Sequence, residues 1–309
     1  MQTVLFIIVP AIVLFTIISL SALSGLFSEK VGIVNIAIES MIIIGATSYL
    51  MFRQIFKVES PWFQIPLMII ASFSAGLFAL LHGVITIKLK GDHIISGVAL
   101  NLFAPAIALV LLKLVGVANR FEGSMKELAW SSNSINDWKN IISLKLFLTF
   151  FIFIVAIVLL NKTKWGLRLK SIGENPQAAD VAGINVNFFK WQGIFISGLI
   201  AGLAGSIFGQ WKGLTFSGQA EGFGFLALTV LIMSQWKPSI ILVVSILFSG
   251  IYSAGLVMST GQGVFVPLKE YGSFFNALPF FITLVILLAT SKKSQMPAAL
   301  GVPYDKSTR

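Results

Sequence analysis

The chain has 309 residues, of which 56% are hydrophobic and 11% charged, and its mean hydropathy is +0.91. This apolar content exceeds that of soluble globular domains, so the composition indicates an integral membrane protein surrounded by lipid. Cysteine is absent, which excludes disulfides, thiolate metal sites and cysteine nucleophiles. The net charge of +10 comes from Lys and Arg placed between apolar runs, so we expect cytoplasmic loops and no nucleic acid partner.

Apolar runs of about 20 residues recur along the chain, as in membrane-spanning helices and unlike the strands of an outer-membrane barrel. They predict an all-α, polytopic transmembrane helix bundle with about nine spans, organised as a single domain over residues 1–309. The predicted spans are Val4–Leu23, Val31–Phe52, Pro66–Ile87, Ile94–Val117, Leu144–Leu160, Trp191–Gln210, Gly222–Gln235, Ser239–Ser259 and Phe274–Thr290. Span seven is short enough to be broken or re-entrant, which leaves the count open by one.

The connections between spans predict the orientation. A central polar loop, residues 162–190, and a tail, residues 291–309, lie on the side that carries 13 of the 22 Lys and Arg residues. The positive-inside rule therefore predicts a cytoplasmic C-terminus and an outside N-terminus in a bacterial cell membrane. Residues 119–142 are predicted to form an exposed loop, Asp92 to cap the helix that begins near His93, and Trp236 to lie at the interface.

Polar residues inside spans are the first candidates for function. Asn35 and Glu39 stand four residues apart in span two, and a carboxylate in a span is costly unless it faces a polar cavity or a partner. The alternative for Glu39 is a carboxylate near the cytoplasmic end that reaches the interface or pairs there. Ser96 and Asn101 in span four are weaker candidates for the translocation pathway, because an intramembrane Asn also serves to bond a neighbouring helix.

Span six carries four glycines at intervals of four, three and four residues. Gly198, Gly202, Gly205 and Gly209 therefore share one helical face. A face without side chains allows a neighbouring helix to approach closely, which is how helices associate in lipid. We expect these glycines to form a helix-packing surface.

Enzyme signatures are absent from the sequence. It contains no Gly-Lys dipeptide, so there is no Walker A loop and this chain cannot itself hydrolyse ATP by that route. The two histidines, His82 and His93, form no HExxH motif and are predicted to be interfacial. The segment GFGFLA at Gly222–Ala227 matches a dinucleotide fingerprint only by letters, since no strand precedes it. We expect no catalytic residue, no metal site and no cofactor bound by the chain.

Six stretches together resemble one family. They are GLFSEKVGIVNIAIESMIIIGA (Gly25–Ala46), GDHIISGVALN (Gly91–Asn101), GLRLKSIGENPQAADVAGINV (Gly166–Val186), SGLIAGLAG (Ser197–Gly205), GFGFLALTVLIMSQWKP (Gly222–Pro238) and GVPY (Gly301–Tyr304). In this order they resemble the permease subunits of bacterial ABC importers for nucleosides and simple sugars, which are related to the branched-chain amino-acid and ribose permeases. Ala37 and Ser40 stand where that family usually has glycine.

The resemblance implies a complex. A second homologous permease, a cytoplasmic ABC ATPase subunit that uses ATP and Mg²⁺, and an extracellular substrate-binding lipoprotein would join this chain. The loop around residues 162–190 would couple the permease to the ATPase. The residues implied in this coupling are Arg168, Gly173, Glu174, Asn175, Pro176, Ala179 and Gly183.

The sequence of the loop suits that role. Asn175 and Pro176 favour the start of a short helix at Gln177–Val181, and Gly183 favours its end. The expected function is therefore the permease subunit of a nucleoside importer. A simple sugar or another small polar solute remains an alternative substrate, and an intramembrane enzyme or a passive channel remains an alternative class.

Overall fold

The fold comes from a computed structural model that describes residues 2–57, 60–115, 128–129, 142–261, 263–290 and 296–305. These residues are helical apart from short connections and one isolated bridge between Ala129 and Ser143. The all-α prediction is therefore confirmed for this part of the chain. Its α-helices are α1 (Gln2–Glu29), α2 (Ile38–Phe56), α3 (Gln64–Gly83), α4 (His93–Leu114), α5 (Leu144–Lys162), α6 (Lys164–Glu174), α7 (Pro176–Val181), α8 (Val186–Lys212), α9 (Phe223–Met233), α10 (Pro238–Thr260) and α11 (Gly272–Thr290).

Six helical segments in the described ranges are long and apolar enough to cross a membrane. They are Leu5–Glu29, Pro61–Lys88, His93–Leu114, Leu144–Lys162, Val186–Lys212 and Pro238–Thr260. By this measure the expected count of about nine spans is not confirmed. Two predicted spans fall outside this group of six for evident reasons. Helix α2 contains the charged residues Glu39 and Arg53, and α9 has only 11 residues. The predicted loop at 119–142 and the ends of the predicted tail fall almost wholly outside the described residues.

Helix α8 is the centre of the bundle, because α1, α2 and α3 all pack along it. Helix α1 also packs on α9 and α10, and α10 packs on α11. The outward faces of α4 and α5 carry exposed large apolar side chains, for example Leu102 and Phe147. A protein that buries its polar groups and exposes apolar side chains around its circumference is built for a lipid environment.

The four glycines of α8 meet two different helices. Gly198 and Gly202 lie against α3, where a Cβ added at Gly202 would be 2.6 Å from the Cβ of Ala75. Gly205 and Gly209 lie against α2, where a Cβ added at Gly209 would be 3.1 Å from the Cα of Ala46. The glycine face therefore holds α2 and α3 at backbone distance from α8.

Candidate functional site

The chain between α1 and α2 is not helical. Helix α1 ends at Glu29 and α2 begins only at Ile38, so the predicted continuous span Val31–Phe52 is wrong in its first part. We call residues 31–37 the break. An apolar stretch that leaves the helical conformation exposes backbone groups, which must find partners elsewhere inside a membrane protein.

The break runs beside α8 into the middle of the molecule. Val31 lies against Gly193, near the start of α8, and Asn35 lies against Ser197 one turn further along. The first turns of α2 then continue in the same direction, with Ile42 against Gly205. Helix α2 therefore begins at about the level of the middle of α8.

Two histidines bind the backbone of the break. His82 on α3 contacts the Val34 carbonyl oxygen through Nε2 at 3.0 Å and the Ser96 hydroxyl through Nδ1 at 2.9 Å. The Val34 amide donates to Nδ1 of His93 on α4 at 3.3 Å. Since a carbonyl oxygen only accepts, Nε2 of His82 carries a proton, and Nδ1 of His93 carries none. The sequence predicts interfacial histidines, but these two side chains are buried and support the break.

Asn101 supports the start of α2. Its side-chain amide donates to the Ile36 carbonyl at 2.9 Å, and its side-chain carbonyl accepts from the Ser40 amide at 2.9 Å. Both backbone groups belong to the first turn of a helix or the residues before it, where intrahelical partners are missing. The Asn101 side chain therefore binds an amide and a carbonyl four residues apart, which would bond each other in a regular helical turn.

The structure brings the four predicted pathway residues to the same place. Asn35 donates to the Ser197 hydroxyl of α8 at 2.8 Å, Ser96 reaches the break through His82, and Asn101 bonds it directly. Glu39 lies in the first turn of α2, directly after the break. Asn35 is not on the same helix as Glu39, because Asn35 belongs to the break and Glu39 to α2.

Glu39 joins two helix N-termini. The carboxylate is 8% exposed and accepts from the amides of Gly222 at 2.8 Å and Gly224 at 2.5 Å, at the start of α9. A negative charge at a helix N-terminus is favourable, and this one lies at the N-termini of both α2 and α9. The geometry is that of an internal link between helices and not of a side chain that reaches the interface.

Gly224 must be glycine for this link. A Cβ there would lie 2.5 Å from the Cα of Glu39. Gly222 has φ +84, a left-handed conformation that glycine adopts freely. The Gly-Phe-Gly stretch matches a dinucleotide fingerprint only by letters. Its backbone amides bind a carboxylate of the same chain instead.

A second buried carboxylate fixes the other end of α9. Glu29, the last residue of α1, accepts a hydrogen bond from Nε1 of Trp236, which follows α9. Both side chains are buried, at 4% exposure each, so Trp236 packs inside the protein, and its position at the membrane interface stays a prediction. The sequence analysis missed Glu29 because it stands in the predicted connection after span one, beside Lys30. Carboxylates thus hold α9 at both ends.

The central loop forms two short helices, α6 and α7. Helix α7 begins at Pro176, the side chain of Asn175 accepts from the Ala178 amide at 2.9 Å, and Gly183 has φ +82. Of the residues implied in coupling, Gly173, Pro176 and Ala179 are buried, whereas Arg168, Glu174, Asn175 and Gly183 are exposed. The loop is thus a packed unit that presents polar groups to its surroundings.

The C-terminal tail links this loop to the break. The Ala299 amide donates to the Gly173 carbonyl at 2.9 Å, and the Gly301 amide donates to the Gly32 carbonyl at 3.1 Å. Lys30 lies in the same junction, where burial, followed by the charge of Lys170, lowers the pKa of its ammonium group. Nothing in the sequence pattern of the tail predicts these contacts.

The described residues contain no group of three or more His, Cys, Asp or Glu side chains placed to hold a metal ion. The buried polar groups of the site are instead used to bind backbone and one another. Their arrangement, with non-helical chain and two helix starts in the middle of a bundle, is typical of membrane transporters.

Comparison with known proteins agrees with this geometry. The sequence model of the family described as branched-chain amino acid transport system / permease component matches residues 7–287. The chain is 35% identical over 300 residues to the nucleoside ABC transporter permease protein NupC of Lactococcus lactis subsp. cremoris (strain MG1363), which covers 93% of this chain and 92% of NupC. It is 33% identical over 330 residues to the guanosine ABC transporter permease protein NupQ of Bacillus subtilis (strain 168), with coverage of 99% and 98%.

A second permease of the same Lactococcus lactis strain, the nucleoside ABC transporter permease protein NupB, is 23% identical over 303 residues, which covers 94% of this chain and 81% of NupB. No solved structure is significantly similar to the chain. The family match covers most of the sequence and excludes the intramembrane enzyme as an interpretation. The chain therefore belongs to the permease family of branched-chain amino acid transport systems, as a multi-pass permease subunit of the ABC type.

Proposed function

We propose that this chain forms, with a second homologous permease, the translocation pathway of an importer for nucleosides. The support is that relatives similar over more than nine-tenths of this chain are named as nucleoside and guanosine permeases. That NupB and NupC of one organism are both similar to the chain supports a pair of different permeases. A cytoplasmic ATPase that uses ATP and Mg²⁺ and an extracellular binding lipoprotein complete the proposed importer.

The proposed topology has nine crossings, with the N-terminus outside and the C-terminus in the cytoplasm. Two crossings are only partly helical: the break precedes α2, and residues 216–222 precede α9. Both helices begin at the Glu39 link, near the middle of α8. The distribution of Lys and Arg supports this orientation.

The link between α2 and α9 is the observation that carries the mechanism. A pathway that opens alternately to either side needs an element with two arrangements, and half-helices that meet near the middle of a bundle supply one. Glu39 would hold the two starts together in one arrangement. Asn35, Ser96 and Asn101 would keep the backbone of the break satisfied while it rearranges.

The coupling loop has a direct mechanical connection to the break. Gly173, at the end of α6, packs against the carbonyl group of Lys30, and the tail bonds both segments. A displacement of α6 and α7 by the ATPase would therefore move the chain that leads into the break. Arg168 and Glu174 are among the exposed charges that this loop offers to the ATPase.

Reconstitution tests the proposal. The chain is assembled in proteoliposomes with the second permease, the ATPase and the binding protein, and uptake of radiolabelled guanosine, adenosine and uridine is measured with and without ATP. We expect ATP-dependent uptake that unlabelled ribose and glucose do not compete for. Competition by sugar alone would favour the sugar importer, and equal uptake without ATP or partners would favour a passive channel.

A further inference from the structure

A chain of aromatic rings leads from the interior of the protein to an open surface just above the Glu39 link. Ring centroids are 5.5 Å apart for Phe208 and Phe223, 5.1 Å for Phe223 and Tyr252, and 6.2 Å for Tyr252 and Phe280. The first two rings are buried, Tyr252 is half-buried and Phe280 is 43% exposed. We call these four residues the aromatic ladder.

The ladder differs from ordinary core packing at its exposed end. Glu221 lies there with a left-handed φ of +53, and its carboxylate pairs with the Lys212 ammonium at 2.7 Å. The side chain of Glu221 is 42% exposed. A non-glycine residue in this conformation is strained, and such residues concentrate at functional sites. A charged pair and an exposed aromatic ring therefore occur together at this end.

We infer that the aromatic ladder and Glu221 form a binding site for the base of an uncharged nucleoside within the permease. This inference rests on the proposed substrate class. Aromatic side chains bind nucleobases by stacking on their faces, and a carboxylate accepts hydrogen bonds from the N–H groups at a base edge. Because the same carboxylate pairs with the Lys212 ammonium, that cation is not left free to bind phosphate, so the site favours nucleosides over nucleotides.

The position of the site connects substrate to the moving parts. Glu221 immediately precedes Gly222, whose amide donates to Glu39, and Phe280 lies 3.6 Å from the position of a Cβ at Gly222. Tyr252 and Phe280 belong to α10 and α11, and the buried rings belong to α8 and α9. In the proposed topology the site opens towards the outside, the side from which the substrate arrives.

Photolabelling tests the site directly. The complex with the second permease and ATPase is irradiated with 8-azidoadenosine, and the modified peptides are mapped by mass spectrometry. We expect labelling of peptides that contain Tyr252 or Phe280, with protection by excess guanosine and none by ribose. The variants Phe280→Leu and Tyr252→Leu should lose labelling by at least about fivefold, because stacking on one ring is removed.

The matched control is Phe225→Leu, which removes a ring of α9 that is 51% exposed and is not a member of the ring pairs of the ladder. Its labelling should equal that of the wild type. In Glu221→Gln, guanosine monophosphate should begin to protect, because the Lys212 ammonium loses its carboxylate partner and can attract the phosphate. Guanosine-protected labelling confined to other segments, or unchanged labelling in both ladder variants, would overturn the inference while nucleoside uptake continues. Uptake of sugar without nucleoside would overturn the proposed function and this inference together.

Discussion

Helix α8 contacts the segment formed by the break and α2 along two stretches, and the contacts in these two stretches are of different kinds. In the second half of α8, Gly205 and Gly209 pack against the backbone of α2. About two turns towards the start of α8, Ser197 accepts a hydrogen bond from Asn35, and the neighbouring chain is not helical. The first contact is close packing of backbone atoms, whereas the second is made by a hydrogen bond between side chains.

This difference assigns the two stretches different roles. Close packing has one good arrangement, because a shift of less than one ångström either separates the atoms or makes them collide. Hydrogen bonds of His82, His93 and Asn101 to free backbone groups can be exchanged for other partners as the chain moves. We therefore regard the glycine face as the frame and the break as the part that changes.

The largest expected effect, on assembly and thermal stability, comes from a change in the glycine face. Gly202→Leu places a side chain where even a Cβ would lie 2.6 Å from the Cβ of Ala75 and 2.7 Å from the Ala71 carbonyl oxygen. Overpacking typically costs about 1–3 kcal/mol, and backbone contacts on both sides leave little room for adjustment here. We expect loss of the assembled complex in gel filtration and a lower midpoint of thermal unfolding.

Gly250→Leu on α10 is the matched control, because nothing lies within 4 Å of an added Cβ at that position. It makes the same substitution in a membrane helix without a close neighbour. Assembly and thermal stability of Gly202→Leu equal to those of the control would mean that the glycine face is not the frame.

A smaller effect on assembly is expected at the break. Asn101→Ala leaves the Ile36 carbonyl and the Ser40 amide without their partner, and an unsatisfied buried group costs about 1–3 kcal/mol. The complex should still assemble, with reduced thermal stability and reduced uptake of labelled nucleoside. Leu102→Ala changes the neighbouring residue, which is 76% exposed, and should leave both properties unchanged. Full uptake in Asn101→Ala would show that the side chain is not needed to hold the break.

The smallest effect on stability is expected in the coupling loop. Gly183 has φ +82 and nothing within 4 Å of an added Cβ, so Gly183→Val acts through backbone strain of about 1–2 kcal/mol alone. We expect normal membrane insertion and assembly, with reduced stimulation of ATP hydrolysis by substrate and binding protein. Gly183→Asn tolerates the left-handed conformation and should restore the stimulation. Equal stimulation in Gly183→Val and wild type would remove the end of α7 from the coupling mechanism.

Local patterns in the sequence predicted the local structure well. Asp92 accepts from the amides of Ile94 and Ile95 as the predicted cap of α4, and α7 starts at the Asn-Pro pair. These features depend on residues a few positions apart, whose chemistry can be read directly from the sequence. The apolar runs likewise located helices in each predicted span.

The long-range contacts could not be predicted in this way. The break contains no proline, and its apolar residues read as part of a continuous span. The partners of Glu39 are more than 180 residues away, and Trp236 is 207 residues from Glu29. A single sequence shows that a buried carboxylate needs partners but does not show which backbone amides supply them. The nature of the break thus emerges only from the three-dimensional arrangement.

The most direct test of the account is nucleoside uptake by complexes that carry Glu39→Gln, divided by the amount of assembled complex. Glutamine keeps the shape but removes the charge and turns one acceptor into a donor, which then faces an amide of Gly222 or Gly224. We predict normal assembly with uptake below about one-tenth of the wild type, the effect of losing about 1.4 kcal/mol or more from the link. Glu270→Gln, at an exposed carboxylate, should transport normally. Wild-type uptake per complex in Glu39→Gln would contradict the claim that this carboxylate joins the moving helices.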